Sequence, residues 1–403
     1  MCNSDKLKKV VSLSPTPPGN DFLTIEELGR EEKVYPLDLY YCEACNHVQL
    51  GHVVDPKILY QKNYTYVSAT SGQFVNHLKE YAESMVKRFN LKSNSLIVDI
   101  GSNDGTCLSF FKALGMEVIG VDPATDIAKK ATEDGIETIA DFFSYELAIE
   151  LNKKYGPAKY ITSHNACAHI DDLLDVVKGV EVWLGDDGIF VLEVGYLVDV
   201  YTNTWFDTIY HEHLDFHTVA PFEKLFARVD MEVIGVERIK PQGGSIRVMA
   251  QKKKGKLIRQ SSVDELIAIE NKLGFNNVET FYEFENKINL VKAQLKQLVF
   301  ELKAKGKTIA GFGAPTKATT LMGHFGLDEK ILDFIVDDNP LKQGLYTPIT
   351  HIPVLSADAL YEKKPDYVLI LAWNFSEPIM DMHKRYGSEI GHFILPMPFP
   401  KVV

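Results

Sequence analysis

Four consecutive residues, Tyr210-His211-Glu212-His213, place a phenol, a carboxyl group and two imidazoles side by side. Side chains of these types move protons near neutral pH, and a base among them needs a phenol or carboxylate nearby for orientation. Upstream, Val98-Asp99-Ile100-Gly101-Ser102-Asn103-Asp104-Gly105-Thr106 has the make-up of a loop that brings backbone close to a nucleotide-like cofactor. A proton-handling segment downstream of a cofactor loop points to an enzyme, not a scaffold. Cys42-Glu43-Ala44-Cys45 adds the two-residue spacing of a zinc hairpin, with Cys2 as a third thiol. A redox pair is the rival reading, but it calls for a thioredoxin-like βαβ setting, whereas Val34 to Tyr41 reads as a strand feeding the pair.

Elements must hold these groups in place. Leu96–Ile100 reads as a buried strand, Cys107 to Leu114 as a helix and Glu117 to Asp122 as the next strand. Further strands are expected at 136–140, 160–163 and 188–194, which together predict an α/β fold with a doubly wound parallel sheet. A helix over Gly72 to Phe89 precedes this unit, and residues 1–72 read as Pro-rich and irregular, with 14–20 an extended loop. Strands at 232–238 and 245–251 flank a Gly243-Gly244 turn, and a single long amphipathic helix is expected over 262–305. A second α/β unit follows, with strands at 307–312, 331–337 and 367–372. The expected domains are 1–72, 73–240 and 241–403.

Composition narrows the function. The chain has 403 residues, 45% hydrophobic and 24% charged, as in ordinary globular proteins with room for several cores. A net charge of -12 argues against a nucleic-acid partner, since phosphate backbones call for concentrated Lys and Arg. No apolar run approaches the roughly 20 residues of a membrane span, and the N-terminus lacks a signal peptide's apolar core. A cytoplasmic monomer or weak homo-oligomer is expected. Five cysteines make a poor disulfide framework, and Cys107 and Cys167 sit among apolar residues as core side chains.

In the cofactor loop, Asp99, Gly101, Asn103 and Gly105 form the ligand-facing set. Asp122 follows Gly101 by 21 positions, at the end of the second strand, where a carboxylate can hold two ribose hydroxyls. The dinucleotide fingerprint is absent, because three residues separate Gly101 from Gly105. This arrangement instead resembles the class I S-adenosylmethionine methyltransferases. The resemblance implies that Asp141 and Phe142 lie at an adenine and that Asn165 joins the cofactor set. A Rossmann-type turn with no retained cofactor is the plainer alternative.

The whole chain resembles the nucleotide-sugar C-methyltransferases, which carry a small zinc domain, a methyltransferase domain and a C-terminal Rossmann-like domain. The matching stretches are Tyr41 to Leu50, Val98 to Thr106, Phe206 to His213, Gln242 to Arg247 and Gly311 to Lys317. The resemblance implies a dTDP-linked 4-keto-deoxysugar as substrate and methyl transfer to the carbon beside the ketone. It places the family's catalytic Tyr, Glu and His on Tyr210, Glu212 and His213. His213 is then the base, Glu212 orients it, and Tyr210 bonds the sugar or its enolate. His169 matches a second family histidine at the cofactor edge, and one of Tyr64 and Tyr66, with Tyr66 favoured, matches an active-site tyrosine. His211 and His217 are expected to be packing residues, and a catalytic metal on His211, Glu212, His213 and His217 is set aside.

The C-terminal Gly311-Phe312-Gly313-Ala314-Pro315-Thr316-Lys317 is a degenerate G-x-G-x-x-G, with Thr316 in place of the third glycine. An NAD-dependent sugar-nucleotide oxidoreductase is one alternative, and methyl transfer to a sugar oxygen or nitrogen is another. The family resemblance favours binding of the sugar nucleotide, with the Gly313 and Ala314 amides, Lys317 and Arg247 as the substrate set. The match breaks at the start of the chain. The family begins with two cysteines two residues apart, and Cys2 aligns as the second of them. Either the chain starts late, or another ligand or water completes a structural zinc site on Cys2, Cys42 and Cys45, with His47 and His52 as candidates.

Overall fold

A computed structural model describes residues 1–60, 68–70 and 72–403; Tyr64 and Tyr66 lie outside the described residues. Near the N-terminus, β1 (Leu7–Thr16), β2 (Tyr35–Cys42) and β3 (Val48–Leu50) form an antiparallel sheet. Alternation does this in β2, where Tyr35, Leu37, Leu39 and Tyr41 point to the buried face. The stretch expected to be irregular is therefore partly strand. β1 is an edge strand, where Pro15 costs no ladder hydrogen bond that the sheet needs.

The central sheet holds β4 (Leu96–Ile100), β5 (Glu117–Val121), β6 (Thr138–Ile139), β7 (Ala158–His164) and β8 (Leu184–Gly195), all parallel. All five residues of β4 are buried, as expected for a parallel strand covered on both faces. The chain then leaves for β9 (Asp215–Phe216), which pairs with β3 and closes the N-terminal sheet. It returns as the hairpin β10 (Met231–Ile239) and β11 (Ser245–Lys252), and β11 lies antiparallel to β8. The expected boundary after residue 240 thus falls between two strands of one sheet. The order is β10-β11-β8-β7-β4-β5-β6, so the winding direction reverses at β4, and a crevice opens at the carboxyl ends of β4 and β7.

The long helix expected over 262–305 is two helices, Ser261–Lys272 and Glu279–Ala304. Gly274 breaks it with φ 82°, and the Thr280 hydroxyl caps the Gly274 carbonyl at 2.7 Å. The last sheet runs β14 (Val354–Leu355), β13 (Ile335–Val336), β12 (Ile309–Phe312), β15 (Tyr367–Ile370), β16 (His392–Leu395) and β17 (Lys401–Val402), parallel except for β17. One buried apolar cluster reaches from Leu37 through Phe206 and Ile209 to Leu321 and Phe325. The proton-handling segment therefore sits where the three sheets meet.

Candidate functional site

A cavity of about 680 Å³ is walled by Asp99, Gly101, Asn103 and Asp122 at one end, and by Tyr210, Glu212, His213 and Lys317 at the other. Residues 207–216 reach it because each flanking unit grips them. The Thr320 hydroxyl donates to the Ile209 carbonyl at 2.9 Å, and the Trp373 indole donates to Asp207 at 2.7 Å. From the N-terminal sheet, the Leu50 N–H donates to the Leu214 carbonyl at 2.7 Å, and His47 meets Asp215 at 2.5 Å.

Within this turn, Tyr210 and His213 face one another, three residues apart. The Tyr210 hydroxyl lies 2.8 Å from His213 Nε2, and His213 Nδ1 lies 2.8 Å from the Thr208 carbonyl. A carbonyl only accepts, so Nδ1 carries the proton, and Nε2 offers its lone pair to the tyrosine. Burial pushes the His213 imidazole down to about 4, and nearby Lys317 adds to the fall, so the ring is neutral at pH 7. His169 stands edge-on to it, ring centroids 5.0 Å apart, with its Nδ1 3.0 Å from the Tyr60 hydroxyl. Burial, then His213, lowers His169 to about 3.

The expectation that Glu212 orients His213 is not met. The Thr208 carbonyl does that, because neighbouring side chains in this turn diverge. Glu212 instead accepts from the Asn20 amide at 3.1 Å, and burial raises its carboxyl to about 7. His211 turns away altogether, with Nε2 3.2 Å from the Tyr35 carbonyl, and His217 is fully buried against Phe222. Lys317 lies over the Trp373 ring at 3.4 Å and donates to Asn374 at 2.8 Å. Burial lowers its ammonium to about 8, against the pull of Asp207, whose own carboxyl burial raises to about 6.

At the other end, Gly101 and Gly105 both have φ of 76°, and Gly105 precedes the helix Thr106–Ala113. Asp122 accepts from the backbone N–H groups of Asn103 at 2.8 Å and Ala124 at 2.9 Å, and each oxygen keeps a lone pair for a hydroxyl. Asp99 is buried, and its Oδ1 has no hydrogen-bond partner among the described residues. Burial raises this carboxyl to about 7, with His164 opposing. An orphaned acceptor beside a Gly101 backbone, with an acid at the end of β5, fits the amino, ribose and sulfonium groups of S-adenosylmethionine. Phe142 and Asn165 line the same cavity. Asp141 is exposed outside that wall, with Oδ1 accepting from the Phe142 N–H at 2.8 Å.

Three of the four residues expected to meet the substrate are committed elsewhere. The Gly313 N–H donates to the Val336 carbonyl at 2.7 Å, and the Ala314 N–H to Asp337 at 2.6 Å. A carboxylate of the chain itself thus fills the cradle that a phosphate would need. Arg247 is buried in the central sheet, paired with Glu193 at 2.7 Å and Glu237 at 3.1 Å, over the Tyr81 ring. Burial alone would raise Glu193, but His164, His77 and Arg247 together hold it well below the usual carboxylate range. Sequence reasoning missed Asn20, Tyr60, Trp205 and Trp373, which line the cavity, and Asp207, which lies beside Lys317; only the Gly19-Asn20 turn after the prolines carried a local signal.

Cys2, Cys42 and Cys45 converge, all three sulfurs within 4.8 Å of one another, Cys42 and Cys45 buried. Free thiols gathered so closely suit a zinc ion. Among the described residues no fourth His, Cys, Asp or Glu joins them: His47 is bonded to Asp215 and His52 stacks on Tyr35.

Comparison with known proteins gives matches along the chain. Residues 1–60 match the family model "Putative zinc binding domain", 74–236 "Methyltransferase domain" and 240–398 "C-methyltransferase C-terminal domain". The C-methyltransferase NovU of Streptomyces niveus is 36% identical over 403 residues, covering 100% of this chain and 96% of that protein. Among solved structures, the PH0226 protein of Pyrococcus horikoshii is 18% identical with a TM-score of 0.38, over 47% of this chain and 95% of that one. The magnesium protoporphyrin IX methyltransferase of Synechocystis, solved with bound SAH, is 12% identical with a TM-score of 0.35, over 44% and 82%.

Proposed function

The chain belongs to the S-adenosylmethionine-dependent C-methyltransferase family, and on that premise we propose that it methylates the carbon beside the ketone of a dTDP-linked 4-keto-deoxysugar through an enolate. The observation that carries this reading is the 2.8 Å bond between Tyr210 and a neutral His213, in a cavity shared with Asp99 and Asp122. Bound S-adenosylmethionine supplies a methyl group on a sulfonium, which a nucleophile must attack; an enolate makes that nucleophile a carbon.

His213 is the destination of the substrate proton. The carbon–hydrogen bond beside the ketone breaks, and the Tyr210 oxygen takes that proton while its own passes to His213 Nε2. The electron pair moves onto the ketone oxygen, giving an enolate and an imidazolium still anchored on the Thr208 carbonyl. Glu212, whose carboxyl burial raises to about 7, is protonated below that pH and donates a hydrogen bond to the oxygen where charge develops. His169 with Tyr60 shapes the cofactor edge, and of the C-terminal set Lys317 is left to meet the diphosphate of the carrier. Holding the enolate carbon toward the methyl donor is then a matter of positioning.

Incubation with S-adenosylmethionine and a dTDP-4-keto-deoxysugar, followed by mass and NMR analysis of the product, tests the reading. It predicts one added methyl on the carbon next to the ketone. A methyl on a sugar oxygen or nitrogen, or no turnover on any such substrate, overturns it.

A further inference from the structure

We infer that Asn20, presented by the Pro-rich loop of the N-terminal unit, is a positioning residue that fixes the Glu212 carboxyl in the cavity. The inference rests on the role proposed above for Glu212. Asn20 makes two directed bonds: its Nδ2 donates to Glu212 Oε1 at 3.1 Å, and its Oδ1 accepts from the Thr316 hydroxyl at 2.9 Å. The NH₂ end of the amide thus faces the Glu212 carboxyl, and the amide oxygen is left to accept from the Thr316 hydroxyl.

The loop carrying Asn20 has little freedom. The Thr319 hydroxyl donates to the Gly19 carbonyl at 3.1 Å, and a Cβ on Gly19 would come within 2.4 Å of the Thr316 carbonyl oxygen. Only glycine allows that approach to the start of the helix Thr316–Phe325. The N-terminal loop, the catalytic turn and the C-terminal helix therefore meet through one amide.

Other groups also face Glu212. Lys342 lies close enough to favour its charged form, but its Nζ is held by the Ala314 carbonyl at 2.7 Å, and Asp337 stands near it. Tyr60 directs its hydroxyl at the Glu212 backbone carbonyl, 3.5 Å away. Tyr210 and His213 share the turn but pair with each other. Asn20 is thus the neutral donor that sets where the carboxyl points, and its bond favours the ionised form against the burial that raises this group.

The test compares kcat against pH for the full-length protein and for Asn20→Asp, Thr316→Val and Glu212→Gln, with a dTDP-4-keto-deoxysugar as substrate. Glu212→Gln should remove the alkaline limb. Asn20→Asp makes a carboxyl pair whose second proton is held to higher pH, moving that limb up by about one pH unit. Thr316→Val frees the amide to turn and should move the limb the same way by less, while affinity for S-adenosylmethionine stays unchanged in all three. A limb unmoved in Asn20→Asp but absent in Glu212→Gln overturns the role of Asn20 alone. A limb that survives Glu212→Gln overturns the reading of Glu212, and this inference with it. If Asn20→Asp fails to fold, an unmoved limb in Thr316→Val is the refuting result.

Discussion

Replacing Gly101 with alanine should cost this protein its methyl donor more than its fold. A Cβ there would lie 2.4 Å from the Ala166 Cβ, where carbon atoms ordinarily rest about 3.5–4.0 Å apart. The φ of 76° is also one that side chains avoid, at about 1–2 kcal/mol. Forcing an extra methyl into a packed contact adds about 1–3 kcal/mol. The sum is about 2–5 kcal/mol. The cheapest relief is to move the loop off Ala166, since Ala166 follows β7, an interior strand of the central sheet. Loop displacement would then lower affinity for S-adenosylmethionine by between about thirty-fold and a few thousand-fold. Isothermal titration calorimetry measures this directly. Gly29→Ala, where a Cβ meets nothing within 4 Å, is the control and should bind normally. Unchanged affinity in Gly101→Ala, with unchanged melting temperature, would refute the placement of the cofactor loop.

Three further outcomes follow from the geometry. Activity should be full between the His213 value of about 4 and the Glu212 value of about 7, and fall about tenfold per pH unit above the latter. Glu212→Gln should flatten that fall at a reduced plateau, and an unaltered profile would count against Glu212 as the hydrogen-bond donor. Arg247→Met leaves Glu193 short of its guanidinium and should destabilise the protein by about 3–5 kcal/mol in urea denaturation, with the substrate KM unchanged; a raised KM at normal stability would contradict its structural role. Zinc should be present in stoichiometric amount by metal analysis, and its removal should lower Tm and speed amide exchange at Val48–Leu50 and Asp215–Phe216, which are paired strands. Exchange that does not change on chelation would show that the thiols do not brace the catalytic turn.

Much of the site could be read from the sequence wherever the relation was local. Asp99 lies near the end of β4, Gly101 follows that strand and Asp122 follows β5, its parallel neighbour, and buried apolar runs mark both strands in the sequence. Tyr210 and His213 lie three apart in one turn, so their contact needed no long-range knowledge. What Glu212 touches was not legible, because its partner Asn20 lies 192 residues away and belongs to another sheet's loop. The Gly313 and Ala314 amides looked open to phosphate for the same reason: Asp337, which fills that place, comes from the next strand's end. Arg247 joins the substrate set only through the family resemblance, and nothing local in its sequence signals the pairing of its strand with β8 that buries it against Glu193. β1 is not legible in the sequence because an edge strand can contain proline and polar residues.

Abstraction of a carbon-bound proton by Tyr210 and His213 is the central claim, and hydrogen exchange isolates it from methyl transfer. A dTDP-4-keto-deoxysugar incubated with the protein in deuterium oxide, without S-adenosylmethionine, should gain deuterium at the carbon beside the ketone. His213→Ala should slow that gain by about 10²–10⁴-fold while still binding the cofactor. No incorporation by the native protein under conditions where methylation proceeds, or incorporation undiminished in His213→Ala, would contradict the account.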